Sequence, residues 1–273
     1  ANNASNSFSF ISIVSTLAWG IGYFGMPHIL VRFMAIEDEK KLTLSRRIAS
    51  VWVVIAMTVG IFIGVVGLAM TKAGSLESLA DSETVIVRIT GLISSHGVIA
   101  ALIAGVILAG ILAATMSTSD SQLLTAASGV SQNILHDFFH VEMDEKKSLL
   151  TARLTIVAIA IVAVFMARDP NSSVFGIVSF AWAGFGAAFG AVMLCALFWK
   201  RSTLAGAISG MVAGGVMVFV WKYLIKPIGG VFGVYELLPA FIVSILAIVV
   251  VSLLTKEPDQ EILDEFERAK SAA

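Results

Sequence analysis

The stretch Trp19-Gly20-Ile21-Gly22-Tyr23-Phe24-Gly25-Met26-Pro27-His28 decides how the chain is read. It sits inside an apolar run over residues 8–35 that is long enough to cross a bilayer, yet it makes a poor helix. Three glycines within six residues each weaken a helix by about 1 kcal/mol relative to Ala. Pro27 has no N–H and crowds the preceding turn, so the Tyr23 carbonyl is expected to lose its usual partner. In hydrocarbon such freed backbone groups must be satisfied by protein, water or a ligand. Discontinuous helices at the midplane are how many transporters build substrate and ion sites. Trp19 and Tyr23 are four residues apart, share a helical face and can close over a small zwitterionic solute. The alternative is that the glycines only admit a neighbouring helix and Pro27 makes a plain kink, both common in membrane helices. Gly20-x-Gly22-x-x-Gly25 also matches the dinucleotide fingerprint, but no strand precedes it and it lies inside a span.

Outward from this stretch, six more hydrophobic spans follow, over roughly 48–71, 97–132, 149–168, 173–199, 203–224 and 235–255. About 20 apolar residues suffice for one crossing. The 273 residues are 58% hydrophobic and 14% charged, with a mean hydropathy of +0.92. A soluble domain carries far more charge. Apolar runs of 18 residues or more argue against a β-barrel, whose segments are short and alternate apolar with polar residues. The class expected is therefore an all-α membrane protein of about seven transmembrane helices, with the lipid bilayer as its surroundings. The segment 75–93 is apolar but carries Glu77, Asp81, Glu83 and Arg88, and reads as an interfacial helix in a loop. A net charge of -1 argues against a nucleic-acid partner. The single Cys195 lies in an apolar run and supports neither a disulfide nor a cysteine metal site. No nucleophile elbow, HExxH or phosphate-binding loop is present, and no enzyme is expected.

Basic residues set the expected orientation. Arg32, Lys40, Lys41, Arg46 and Arg47 follow the first span; Lys146, Lys147 and Arg153 follow the third; Lys200 and Arg201 follow the fifth; Lys256, Arg268 and Lys270 lie in the tail. These are 13 of the 18 Lys and Arg. Lys72, Arg88, Arg168, Lys222 and Lys226 fall on the opposite side. Basic loops stay in the cytoplasm, so residue 1 is expected outside and the C-terminus inside, in the inner (plasma) membrane. The chain opens on Ala1, and Asn2, Asn3, Ser5 and Asn6 read as a loop with no signal-peptide pattern. The start is read as a cut within a longer protein, and the polar tail from Lys256 to Ala273 as a natural end.

The third span carries the second functional signal. After the apolar run Val98 to Ala114 comes Thr115-Met116-Ser117-Thr118-Ser119-Asp120-Ser121-Gln122. Helical spacing puts Ser117, Asp120 and Ser121 on one face, with Thr118 beside Ser117 and Ala114 one turn earlier. Hydroxyls, a carboxylate and a loosened carbonyl are hard oxygen ligands suited to a cation such as Na⁺. A hydroxyl bonding back to residue i−4 can also pull on the backbone and free a carbonyl. An ionisable residue inside a span is a functional hypothesis by default. The alternatives are that the span ends near Thr115 with Asp120 solvated, or that the hydroxyls bond between helices.

Three weaker signals complete the reading. Ser179-Phe180-Ala181-Trp182-Ala183-Gly184-Phe185-Gly186-Ala187-Ala188-Phe189-Gly190 offers small residues for tight packing and aromatics for part of a gate, with packing favoured. Gly206, Gly210 and Gly214 form a close-contact stripe. His136 and His140 have i, i+4 spacing without an evident third ligand, and a solvated loop is the favoured reading.

Three stretches together resemble the sodium/solute symporter family, nearest its sodium/proline branch: Trp19 to Ala35, Ile111 to Thr118 followed by Gln122-Leu123-Leu124, and Ser179 to Gly190. The resemblance runs through nearly the whole chain. It implies a leucine-transporter-like five-plus-five inverted repeat. Residues 1–199 would be the second repeat, 200–255 two trailing helices and 256–273 a cytoplasmic tail, with the first repeat missing. It implies Na⁺ held by the Ala114 carbonyl and the Ser117 and Thr118 hydroxyls, the remaining ligands coming from the missing N-terminal half of the same carrier. It implies L-proline at Trp19, Tyr23 and Pro27, with Tyr23 also near the inner gate, and import by alternating access. Two positions depart from the pattern. Met26 stands where a bacterial proline carrier of the family has Gln. Asp120 and Ser121 stand where that carrier has Ser and Cys; some relatives use hydroxyls there for a second Na⁺, which makes these two residues candidates for a second cation. Alternatives are a sodium symporter for pantothenate, a betaine or a sugar acid, or a symporter-like sensory module.

Overall fold

The computed structural model describes residues 9–38, 40–168 and 173–272. The loop expected over Asn2 to Asn6 and the first residue of the first span, 8, lie outside the described residues, as does Ala273. Among the described residues all regular structure is helical. Among the described residues six helices are long and apolar enough to cross a membrane, and a bent pair makes up to seven. The chain divides into two compact units, residues 1–32 with 164–273 and residues 33–163.

In the first unit, Ser9 opens helix α1 (Phe10–Ala18) by accepting a hydrogen bond from the Ser12 N–H. The helix tightens into a 3₁₀ stretch, Trp19–Gly25, and is followed by α2 (Pro27–Met34). The two parts are bent by 50°. Helix α7 (Val174–Phe185) widens into a π-helical stretch, Gly186–Gly190, before continuing as α8 (Ala191–Phe198). Helices α9 (Leu204–Val220) and α10 (Leu237–Leu254) pack along their length.

Small residues make these approaches possible. A Cβ on Gly206 would run into Ser252, one on Gly210 into Ile248, and one on Gly214 would crowd the Ala187 carbonyl and Ser244. The expected glycine stripe is thus the α9–α10 seam. Buried Ser244 donates to the Gly210 carbonyl at 2.9 Å, and Ser252 accepts from the Thr203 N–H at 3.1 Å. Such bonds contribute only about 0.6 kcal/mol each in membrane proteins, so close packing carries most of the seam. Before α10, buried Glu236 pairs with Lys226 at 2.7 Å. Helix α11 (Gln260–Ala272) closes the chain.

The second unit holds α3 (Lys41–Lys72), α4 (Val85–Ser94), α5 (Val98–Ser128) and α6 (Glu145–Met166). Helix α4 has 10 residues, too few to span, as expected of a loop helix. A 3₁₀ turn, Ser82–Thr84, leads into it, capped by the Asp81 carboxylate, which accepts from the Glu83 N–H at 2.9 Å, and its Val85 packs on Gly67 of α3. Helix α5 runs into a π-helical stretch, Gly129–Phe138, beyond the expected end at 132. Two boundaries need correcting. Lys41, Arg46 and Arg47 belong to α3, and Lys146, Lys147 and Arg153 to α6, rather than to the connections. Lys and Arg are good helix formers, and their long stems let a helix continue past the hydrocarbon edge. These helices expose Trp52, Ile55, Phe62, Leu102 and Ile161, apolar surface suited to lipid or further protein.

Candidate functional site

The predicted break is present. Met26 adopts an extended conformation, φ −80° and ψ 112°, the geometry imposed on a residue before proline. Pro27 then occupies the first helical position of α2, where a missing N–H costs nothing. The Met26 carbonyl accepts from the Ile29 and Leu30 N–H groups, each at 3.0 Å. One expectation is corrected: the Tyr23 carbonyl is not orphaned. It accepts from the Met26 N–H at 3.4 Å, because the 3₁₀ stretch shifts the donor from residue i+4 to i+3.

Around the break, glycine meets glycine. A Cβ on Gly25 would run into the Phe185 carbonyl, and one on Gly186 would press on the Gly22 backbone and Leu237. The π-helical stretch of the fifth span therefore crosses the 3₁₀ stretch of the first with no side chain between them. Phe185 and Phe189 stack with centroids 6.1 Å apart. Packing, the favoured reading of this span, accounts for buried Ala183, Gly186, Ala187 and Gly190, while a Cβ on Gly184 would meet nothing within 4 Å.

Trp19 is half-buried. Its ring stacks near-parallel to Phe175 at 5.2 Å, Trp182 at 5.5 Å and Tyr235 at 5.8 Å. Tyr23 remains 47% exposed and meets Trp182 edge-on at 4.8 Å. The Trp182 indole N–H donates to the Trp19 carbonyl at 3.0 Å. Trp19 and Tyr23 both contact Trp182, but the shared helical face expected from their spacing is an α-helical one, and in a 3₁₀ stretch with three residues per turn positions four apart point in different directions. In the sequence Trp182 is one aromatic of a segment that offers packing or part of a gate. No local signal pairs it with Trp19, because the two are 163 residues apart. Met26, where a polar group is absent, is buried.

The oxygen cluster lies in the second unit, on α5. Thr118 Oγ1 donates to the Ala114 carbonyl at 3.1 Å, and Ser121 Oγ to the Ser117 carbonyl at 3.0 Å. Thr115 and Thr125 bond backwards in the same way, at 3.0 Å and 2.8 Å. The i, i+4 pairing expected of these hydroxyls is therefore present. The loosened carbonyl is not: α5 is continuous through Ala114 to Ser121, and the Ala114 oxygen is engaged. A back-bonded hydroxyl fills a carbonyl lone pair without displacing the helix. Each donating hydroxyl keeps its own lone pairs, so Thr118 can still offer an oxygen to a hard cation. Ala114, Ser117, Thr118 and Asp120 are exposed and Ser121 is half-buried. Among the described residues no three His, Cys, Asp or Glu gather in a metal-binding group. His136 bonds its neighbour Asp137 at 2.8 Å.

The family model for the sodium:solute symporter family matches residues 2–214. A sodium/proline symporter of Haemophilus influenzae is 40% identical over 267 residues, covering 96% of this chain and 52% of that protein. Sodium/proline symporters of Staphylococcus aureus are 41% identical, one over 262 residues, with 94% and 50% covered; that of strain JH9 matches over 266 residues. The chain therefore spans about half the length of the curated relatives it matches. No solved structure matches. With a broken first span, a hydroxyl-lined third span and a family match over most of its length, this chain belongs to the sodium:solute symporter family.

Proposed function

We propose that the chain is part of a secondary transporter that imports proline with Na⁺ by alternating access. The observation that carries this reading is the break at Met26–Pro27 beside an exposed Tyr23 and a half-buried Trp19. Nearly the whole chain also matches proteins named sodium/proline symporters. Trp19, Tyr23 and Pro27 form one wall of the proline site, with Tyr23 serving as an inner gate. The Ala114 carbonyl and the Ser117 and Thr118 hydroxyls supply part of the Na⁺ site, completed from a first half of the carrier. Asp120 and Ser121 are the candidates for a second cation.

In this reading residues 1–199 are the second inverted repeat, 200–255 the trailing helices and 256–273 a cytoplasmic tail. The carrier lies in the inner membrane with residue 1 outside. Na⁺ and proline favour the same closed state, so each raises the affinity for the other by the same factor. The test is uptake of labelled proline by cells expressing the full-length carrier, with Na⁺ or with K⁺ in its place. Uptake should require Na⁺ and resist competition by pantothenate, betaine or a sugar acid. Strong competition by one of these would reassign the substrate; uptake indifferent to Na⁺ would end the symport reading.

A further inference from the structure

We infer that Trp182 is the positioning residue of the proline site. This rests on the function proposed above, and it assigns an individual role to one aromatic of the Ser179 to Gly190 stretch on the fifth span. Three contacts converge on one indole. Its N–H donates to the Trp19 carbonyl at 3.0 Å, at the first residue of the 3₁₀ stretch. Its face stacks on Trp19 at 5.5 Å and an interplanar angle of 17°. It meets the Tyr23 ring edge-on at 4.8 Å and 83°.

Gly22 completes the seat, because a Cβ there would overlap the indole's Nε1 and Cδ1. Trp182 therefore touches positions 19, 22 and 23, every turn of the stretch that carries the two site aromatics. The neighbouring Ala183 is fully buried and Gly186 packs against Gly22, which fixes the backbone that carries the indole. A 3₁₀ stretch has poorer internal hydrogen bonds than an α-helix. A donor from another span that holds its first carbonyl fixes where the stretch begins, and so where Tyr23 points. Trp182 sets that orientation and is not itself required to touch proline.

The experiment uses the full-length carrier with Trp182→Phe, which keeps an aromatic ring and removes the N–H. Loss of one such bond corresponds to about a fivefold change in affinity. The half-saturating proline concentration should rise by about that factor, with maximal uptake, half-saturating Na⁺ and membrane abundance unchanged. Gly22→Ala displaces the same indole, so the double variant should be no worse than the more impaired single one. Unchanged proline affinity in Trp182→Phe, or losses that simply add, would overturn the assignment.

A second readout does not depend on the substrate. In a full-length carrier with Cys195 and every other cysteine replaced by Ala, the rate at which a small thiol reagent modifies Tyr23→Cys should shift several-fold when Trp182→Phe is added. An unchanged rate would also overturn it. A wild-type carrier that does not move proline defeats the proposed substrate instead, and the thiol measurement then decides the role of Trp182 alone.

Discussion

Trp19 serves two neighbours at once: its ring is stacked among Phe175, Trp182 and Tyr235, while its carbonyl accepts the Trp182 N–H. Much of its surface is thus committed to protein, and Tyr23 presents the more open ring. Trp19→Ala removes the centre of this stack. It should weaken half-saturation by proline by about tenfold, within the range of aromatic contact energies, and shift the Na⁺ requirement much less. Measuring both constants in one set of uptake curves checks this, and equal loss of both would mark general misfolding. The positions of Trp19, Tyr23 and Pro27 were readable in the sequence, because Gly and Pro act locally on the backbone. The partnership with Trp182 was not, since stacking between distant residues leaves no trace in periodicity.

Elements behave in the same divided way. The break in the first span was legible because Pro27 forces Met26 out of the helical region whatever surrounds it. The Gly206, Gly210 and Gly214 stripe was legible because its spacing repeats every helical turn. Helix starts were not. Lys41 opens α3 and Glu145 opens α6 well before the hydrocarbon begins, and hydropathy marks where lipid starts rather than where a helix does. The integrity of α5 was also missed, since back-bonding by Thr118 is equally compatible with a strained or an intact turn. The α9–α10 seam gives a clean test. Gly210→Leu would drive a side chain into Ile248, whereas Gly215 faces open space within 4 Å. Overpacking costs about 1–3 kcal/mol. Gly210→Leu should lower the unfolding midpoint in detergent and the amount of carrier in the membrane, while Gly215→Leu leaves both near wild type. Equal effects would mean that the seam is not as described.

At the scale of the whole molecule, one unit carries the interrupted helix with its aromatic wall and the other carries the hydroxyl cluster of α5. Under the proposed symport, ligands at both favour one conformation, so a change at the proposed cation residues should appear as a changed Na⁺ dependence of proline uptake. Membership of the family was legible from three stretches in order. The assignment of oxygen ligands was only partly so, because hydroxyl spacing predicts a face and not what the face binds. The direct measurement is a Na⁺ titration of labelled-proline uptake by the full-length carrier, comparing wild type with Ser117→Ala/Thr118→Ala. The account predicts that half-saturating Na⁺ rises by about tenfold or more, corresponding to the loss of about 1.4 kcal/mol of ion binding, with carrier abundance unchanged. A titration curve that superimposes on that of the wild type would contradict it.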